Sequence, residues 1–338
     1  MDKEIDLSKF NIHTDLAIDY IDQNSSLKGV KYDKKTISGL DVITVILDSN
    51  NPLKKEKGKY ITIEFDDITD SKNEANVTKV LTSILKKLIK TNHNTLGLIV
   101  GLGNSSSTPD SIGPLTIDNI IVTNHIYLLD SLSKNYSRVC ALKPGVMANT
   151  GIETSSIIES LVSKIKIDYV IVIDSLSSSS IERLNKTIQI TDTGIHPGSG
   201  IGNNRQEISN KTLGIPVYAI GVPTVASASV IVKDTINFIY KNYAFNKEYM
   251  KNPRSKLSTQ INYLKEKITE RENDKTKLLG FVGSLSDEEL QLLLNEVLNP
   301  IGFNYMVSTK EIDFIVKKMS NVISNSINNA LHNLDKKT

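Results

Sequence analysis

Residues 169–174 read Tyr169-Val170-Ile171-Val172-Ile173-Asp174, an apolar run closed by a carboxylate. A strand wetted on one face alternates apolar and polar side chains, whereas a strand covered on both faces does not. A second unbroken run, Leu96-Gly97-Leu98-Ile99-Val100-Gly101-Leu102, precedes it, and shorter runs occupy 138–142 and 215–221. Segments of helical character lie between and after these runs, at 112–132, 150–165 and 225–240. Thr150 and Glu153 have the spacing of a capping box at the start of the second. Alternating buried strands and helices predict an α/β fold with a mostly parallel sheet flanked by helices.

Towards the amino terminus, β-branched residues cluster at 40–47 and 59–65 and predict two extra strands. At 73–90, Val77, Val80, Leu81, Ile84, Leu85, Leu88 and Ile89 recur every three or four residues, so this segment is an amphipathic helix. Beyond the last strand, 244–277 is rich in Lys, Glu, Asn and Arg and poor in apolar residues, the composition of a flexible insertion. A helical carboxyl-terminal extension fills 286–335, its two helices opened by Ser286…Glu289 and Ser308…Glu311. Ile312, Ile315, Met319, Val322, Ile323 and Ile327 share one face of the last helix, which should dock on the body.

Composition narrows the classes of function. The chain has 338 residues, with 40 Lys plus Arg against 38 Asp plus Glu, a formal charge of +2. That balance argues against a surface dedicated to nucleic acid or to a membrane. A single cysteine, Cys140, excludes an intramolecular disulfide and a four-cysteine zinc site. The start, Met1-Asp2-Lys3-Glu4-Ile5-Asp6, is too acidic for a signal peptide, and no apolar stretch reaches the roughly 18 residues of a spanning helix. The expectation is a cytoplasmic protein.

In parallel α/β sheets, ligands bind beyond the carboxyl ends of the strands. Three polar segments fall there. After 96–102 come Gly103, Asn104 and then Thr108-Pro109-Asp110-Ser111-Ile112-Gly113-Pro114. Ser106 stands where a dinucleotide fingerprint needs its third glycine, and no Gly-Lys-Ser/Thr follows. Asp110 is either a helix cap or a chemical group. Asp174, at the end of its run, carries the same two readings. The third segment, Thr191-Asp192-Thr193-Gly194-Ile195-His196-Pro197-Gly198-Ser199-Gly200-Ile201-Gly202, is a long shaped loop. Two aspartates at neighbouring strand ends repel when both are ionised, so one keeps its proton. The ionised member then accepts a proton from water while its partner donates to a leaving amine. Such a pair is a hydrolase that needs neither cofactor nor metal. Two other readings fit the same residues: a metal-dependent maturation-type peptidase with Asp110, Asp174 and His196 as ligands, or a non-catalytic module holding a small molecule at its glycine turns.

The order of several motifs resembles the germination protease family, spore endopeptidases of an atypical aspartic type. The likeness is carried by Gly101-Leu102-Gly103-Asn104, by 108–114, by Pro144-Gly145-Val146-Met147 with Gly151-Ile152-Glu153-Thr154-Ser155, by 190–200 and by Gly221-Val222-Pro223-Thr224-Val225. The resemblance implies a fold similar to that of hydrogenase maturation proteases and places the catalytic aspartates on Asp110 and Asp174. It implies a homotetrameric zymogen in the developing spore and spore core, with small acid-soluble spore proteins as substrates and cleavage after an acidic residue. Phe10-Asn11-Ile12-His13-Thr14-Asp15-Leu16-Ala17 is similar to the family's self-cleavage site. Residues 1–15 would then be a propeptide cut between Asp15 and Leu16, and 16–338 a single peptidase domain. Gly103, Asn104, Asp192, His196 and Gly198 are assigned to shaping the cleft. The chain departs from the family pattern in three places. Ser179 stands where the family has an arginine after its second aspartate, Ala226-Ser227 lacks a common acidic residue, and His13 replaces the usual arginine before Thr14. The first departure also leaves room for a homologue that has lost activity.

Overall fold

The computed structural model describes residues 16–20, 28–53, 55–198, 205–249, 272–298 and 305–332. The expected propeptide and the middle of the expected insertion (250–271) lie outside these residues. The chain divides into two compact units, the larger carrying the described residues of 13–178, 182–225 and 308–338, the smaller those of 179–181 and 226–307.

The sheet has nine strands: β1 (Val30–Ile37), β2 (Leu40–Leu47), β3 (Gly58–Glu64), β4 (Leu96–Gly101), β5 (Arg138–Leu142), β6 (Tyr169–Ser178), β7 (Thr187–Thr191), β8 (Val217–Ser227) and β9 (Met306–Val307). Its order is β1-β2-β3-β7-β8-β6-β4-β5, with β9 beside the end of β8. The expectation of a mostly parallel sheet is corrected. Parallel pairing joins β4 to β5 and β4 to β6. The pairs β1–β2, β2–β3, β3–β7, β7–β8 and β8–β9 are antiparallel. One cause is local. Ser38 and Gly39 both have positive φ (52° and 80°), the geometry of a two-residue hairpin turn, so β1 must return along β2. β1 is also exposed along most of its length, as an antiparallel strand at a sheet edge can be.

Of the parallel strands, β4 and β6 are buried on both faces, whereas β5, at the sheet edge, fully buries only Val139. Ile99, Ile171 and Ile173 point to one side, where they meet helix α1 (Ser71–Leu88) and the closing helix Ile312–Leu331. Leu98, Val100, Val170 and Val172 point to the other, against Ile158 and Val162 of the helix Thr154–Ile165. Both amphipathic faces read from the sequence are the ones that pack. Val77, Val80, Leu81, Ile84 and Leu85 are buried on α1, and Ile312, Met319, Val322, Ile323 and Ile327 on the closing helix. Each such side chain contributes ~1.5–3 kcal/mol by leaving water. α1 starts two residues earlier than its apolar pattern because Asp70 Oδ1 accepts from the Asn73 N–H (2.9 Å).

Other boundaries moved for identifiable reasons. The stretch 112–132 forms only α2 (Ile112–Ile117) and a single turn at Asn124–Tyr127. Between them Thr123 is drawn to β5, donating its N–H to the Val139 carbonyl (3.0 Å). Thr150 does not cap the next helix, since Gly151 ends a separate turn at φ 68°. In the smaller unit the helix Ala228–Tyr249 runs into the expected insertion, and Glu272–Leu279 is helical at its far end. Ser286 and Glu289 form the expected reciprocal cap. Ser308 and Glu311 do not, for no side chain caps the closing helix.

The closing helix is latched at its carboxyl end by His332, which is 1% exposed. Its Nδ1 faces the Ser137 N–H and its Nε2 the Ile121 carbonyl, both at 3.3 Å. Those partners require a neutral ring with the proton on Nε2. Burial holds the imidazole below its ordinary 6.5, against the pull of the Ile121 carbonyl. A depressed folded value adds stability above pH 6.5 that is lost as the pH falls through that value. Protonation would turn Nδ1–H against the Ser137 N–H, leaving a buried donor unsatisfied at ~1–3 kcal/mol. His332→Gln should therefore destabilise the chain at pH 7.5 and less so at pH 5. Denaturant unfolding at the two pH values checks this, and a constant gap would exclude His332 as the titrating group.

Candidate active site

Past Gly101 the backbone leaves β4, and Leu102 donates its N–H to the Ile173 carbonyl (2.8 Å). Gly103 then turns sharply at φ 106°. A β-carbon there would lie 2.0 Å from the Asp110 carbonyl oxygen and 3.0 Å from its Oδ1, so only glycine lets the Asp110 backbone close on this turn. Asn104 donates its N–H to Asp110 Oδ2 (2.9 Å) and to the Asp110 carbonyl (3.0 Å). The loop thus closes as a ring, with the Asp110 carboxyl directed back at Asn104. Asp110 ends a 3₁₀ turn (Thr108–Asp110), and Ser111 occupies the cap position of α2. The helix-cap reading of Asp110 is accordingly set aside.

Asp110 is half-buried, and desolvation raises its pKa above the ordinary 3.8. The Asn104 N–H and the positive charge of Arg205 act against that rise. The turn is held to β6 through Gly113, where a β-carbon would come within 2.2 Å of the Leu102 carbonyl oxygen and 2.7 Å of that of Ile173. β4 and β6 run parallel in the register Gly101 with Ile173. Asp174 therefore follows the last residue paired with β4, at the edge from which the Asp110 turn springs. Asp174 is 7% exposed, and its Oδ1 accepts from the Ser175 N–H (2.9 Å). It does not end its strand, as the sequence reading had it, since β6 continues to Ser178. A helix-cap role is thereby excluded for Asp174 too.

The other singled-out residues lie elsewhere. Asp192 Oδ1 accepts from the Lys59 N–H (2.7 Å) and extends the β3–β7 ladder by one residue. His196 is half-exposed, its Nε2 3.8 Å from Glu207 Oε2, next to the bridge between Ile195 and Ile208. Gly198 (φ 74°) is the last described residue before 199–204. Among the described residues, no three His, Cys, Asp or Glu side chains gather as a metal site. Asp110, Asp174 and His196 are not assembled as ligands.

Asp15 lies outside the described residues, but Leu16 does not. Leu16 and Ala17 have no exposure, packed with Ile43, Val45, Leu47, Tyr60 and Leu176. Ala17 donates its N–H to Gln189 Oε1 (2.7 Å). Leu176 is two residues beyond Asp174 on one strand, hence on the same face. Leu16→Ala should cost ~2–5 kcal/mol in urea unfolding. A loss below about 1 kcal/mol would place Leu16 outside the core.

The family profile described as Germination protease matches residues 10–337. The chain belongs to the germination protease family. It is 41% identical to the germination protease of Priestia megaterium, over 98% of this chain and 96% of that one. The germination proteases of Bacillus cereus and Bacillus anthracis match at the same identity and coverage. The family is one of peptidases, and the motifs that carried the likeness fall between 101 and 225, within the larger unit.

Sequence reasoning missed Arg205. It follows the glycine-rich loop, and its neighbour Gln206 accepts from Ser155 Oγ (2.9 Å). A faint signal was present: only five of the 40 cationic residues are arginine, the cation suited to planar carboxylates.

No helix among the described residues is long and apolar enough to cross a membrane.

Proposed function

We propose that the chain is an endopeptidase zymogen of atypical aspartic type. It removes residues 1–15 and then degrades small acid-soluble spore proteins during germination, cutting after acidic residues. Membership of the germination protease family along nearly the whole chain carries this reading. The homotetramer and the spore-core setting come with the same reading.

The chemistry is assigned to Asp110 and Asp174. In the proposed division Asp110 carries the proton, polarises the scissile carbonyl and donates to the leaving amine. Asp174 is the base in this division: it accepts a proton from water as the oxygen attacks the carbonyl carbon. When the C–N bond breaks, the amine leaves with the proton from Asp110, and the Asp174 proton resets the pair.

The test is incubation of the full chain with a purified small acid-soluble spore protein, followed by mass spectrometry of all new termini. Cuts after acidic residues and a processed chain beginning at Leu16 are expected. Cuts without acidic preference, or a mature chain with another start, would overturn the assignment.

A further inference from the structure

Arg205 is the cation that the aspartate pair does not use. It lies on the returning limb of the glycine-rich loop, and two contacts fix that limb. Ile195 and Ile208 exchange both main-chain hydrogen bonds at 2.9 Å. Gln206 Oε1 accepts from Ser155 Oγ. Ser155 sits in the first turn of the helix Thr154–Ile165, which follows β5, so the limb is tied to the carboxyl edge of the parallel strands. Asp110 springs from that same edge and feels the Arg205 charge. Arg205 is half-buried, and among the described residues no carboxylate lies within ion-pair distance of its guanidinium. A partly desolvated guanidinium without a carboxylate favours one that arrives.

We propose that Arg205 is a specificity-determining residue, receiving the acidic side chain that precedes the scissile bond. The assignment rests on the proposed cleavage after acidic residues. It makes the glycine-rich loop a reader of substrate charge, since its returning limb presents the group that pairs with that carboxylate.

The test uses the full chain with two synthetic peptides spanning residues 10–21, one with Asp15 and one with Asn at that position. Wild type should prefer the Asp peptide. Arg205→Gln should reduce the Asp-over-Asn ratio of kcat/KM by about 10- to 100-fold, acting on the Asp peptide alone. Arg205→Lys should keep much of the preference, because it keeps the charge. Equal losses on both peptides, or a ratio unchanged from wild type, would overturn the assignment and leave cleavage after acidic residues standing. A wild type that cuts both peptides alike would instead remove the acidic specificity, and this role with it.

Discussion

Asp110→Asn and Asp174→Asn should each slow peptide cleavage by about 10²–10⁴-fold while the fold persists. An amide matches the carboxylate in size and keeps an oxygen that can accept. The Asn104 N–H at Asp110 and the Ser175 N–H at Asp174 thus keep their partners. An amide cannot shuttle a proton, so the chemical step is lost and the hydrogen bonds are not. The measurement is kcat/KM on a peptide spanning residues 10–21, with circular dichroism and urea unfolding as the check on folding. Activity within a few-fold of wild type in either variant would remove that aspartate from the mechanism.

Gly103→Ala should be nearly as damaging by a different route. The new methyl would collide with the Asp110 carbonyl oxygen at 2.0 Å, and φ at 106° is unfavourable for any side chain. Backbone strain of this kind costs ~1–3 kcal/mol, and the collision adds to it. The chain can relieve it only by moving Asp110 off Asn104, and a displacement of about 1 Å can cost ~10²-fold in rate. Urea unfolding and kcat/KM should fall together. A variant of unchanged stability and unchanged rate would show that the turn does not set the Asp110 carboxyl.

The centre of this fold was the legible part. Strands β4 and β6 must bury both faces, and α1 and the closing helix one face each, so their patterns survive in the bare sequence. β1 did not, because Val-Lys-Tyr-Asp-Lys-Lys-Thr-Ile carries charges that only an exposed edge strand tolerates. β7 hid for the opposite reason. Thr187, Gln189 and Thr191 are buried where alternation predicts water, and Gln189 meets the Ala17 N–H. Strand-edge logic placed both proposed aspartates beside the carboxyl ends of the paired stretches of β4 and β6. It could not show that Asp110 turns back to Asn104, nor that Asp192 serves the β3–β7 ladder, because both depend on pairings far apart in the chain or around a turn. Arg205 stayed out of view since its relation to Asp110 is purely spatial.

The burial of Leu16 bears on what processing would do. In the uncut chain the Leu16 nitrogen is a neutral amide, seated where its residue has no contact with water. Hydrolysis before it would create an ammonium in that same apolar nest, a charge costing several kcal/mol to keep dry. The freed end would be driven outward, taking Leu16 from Leu176 and Ala17 from Gln189. Processing would then be a one-way event, since the new Leu16 end could not settle back, charged, into the seat it held in the intact chain.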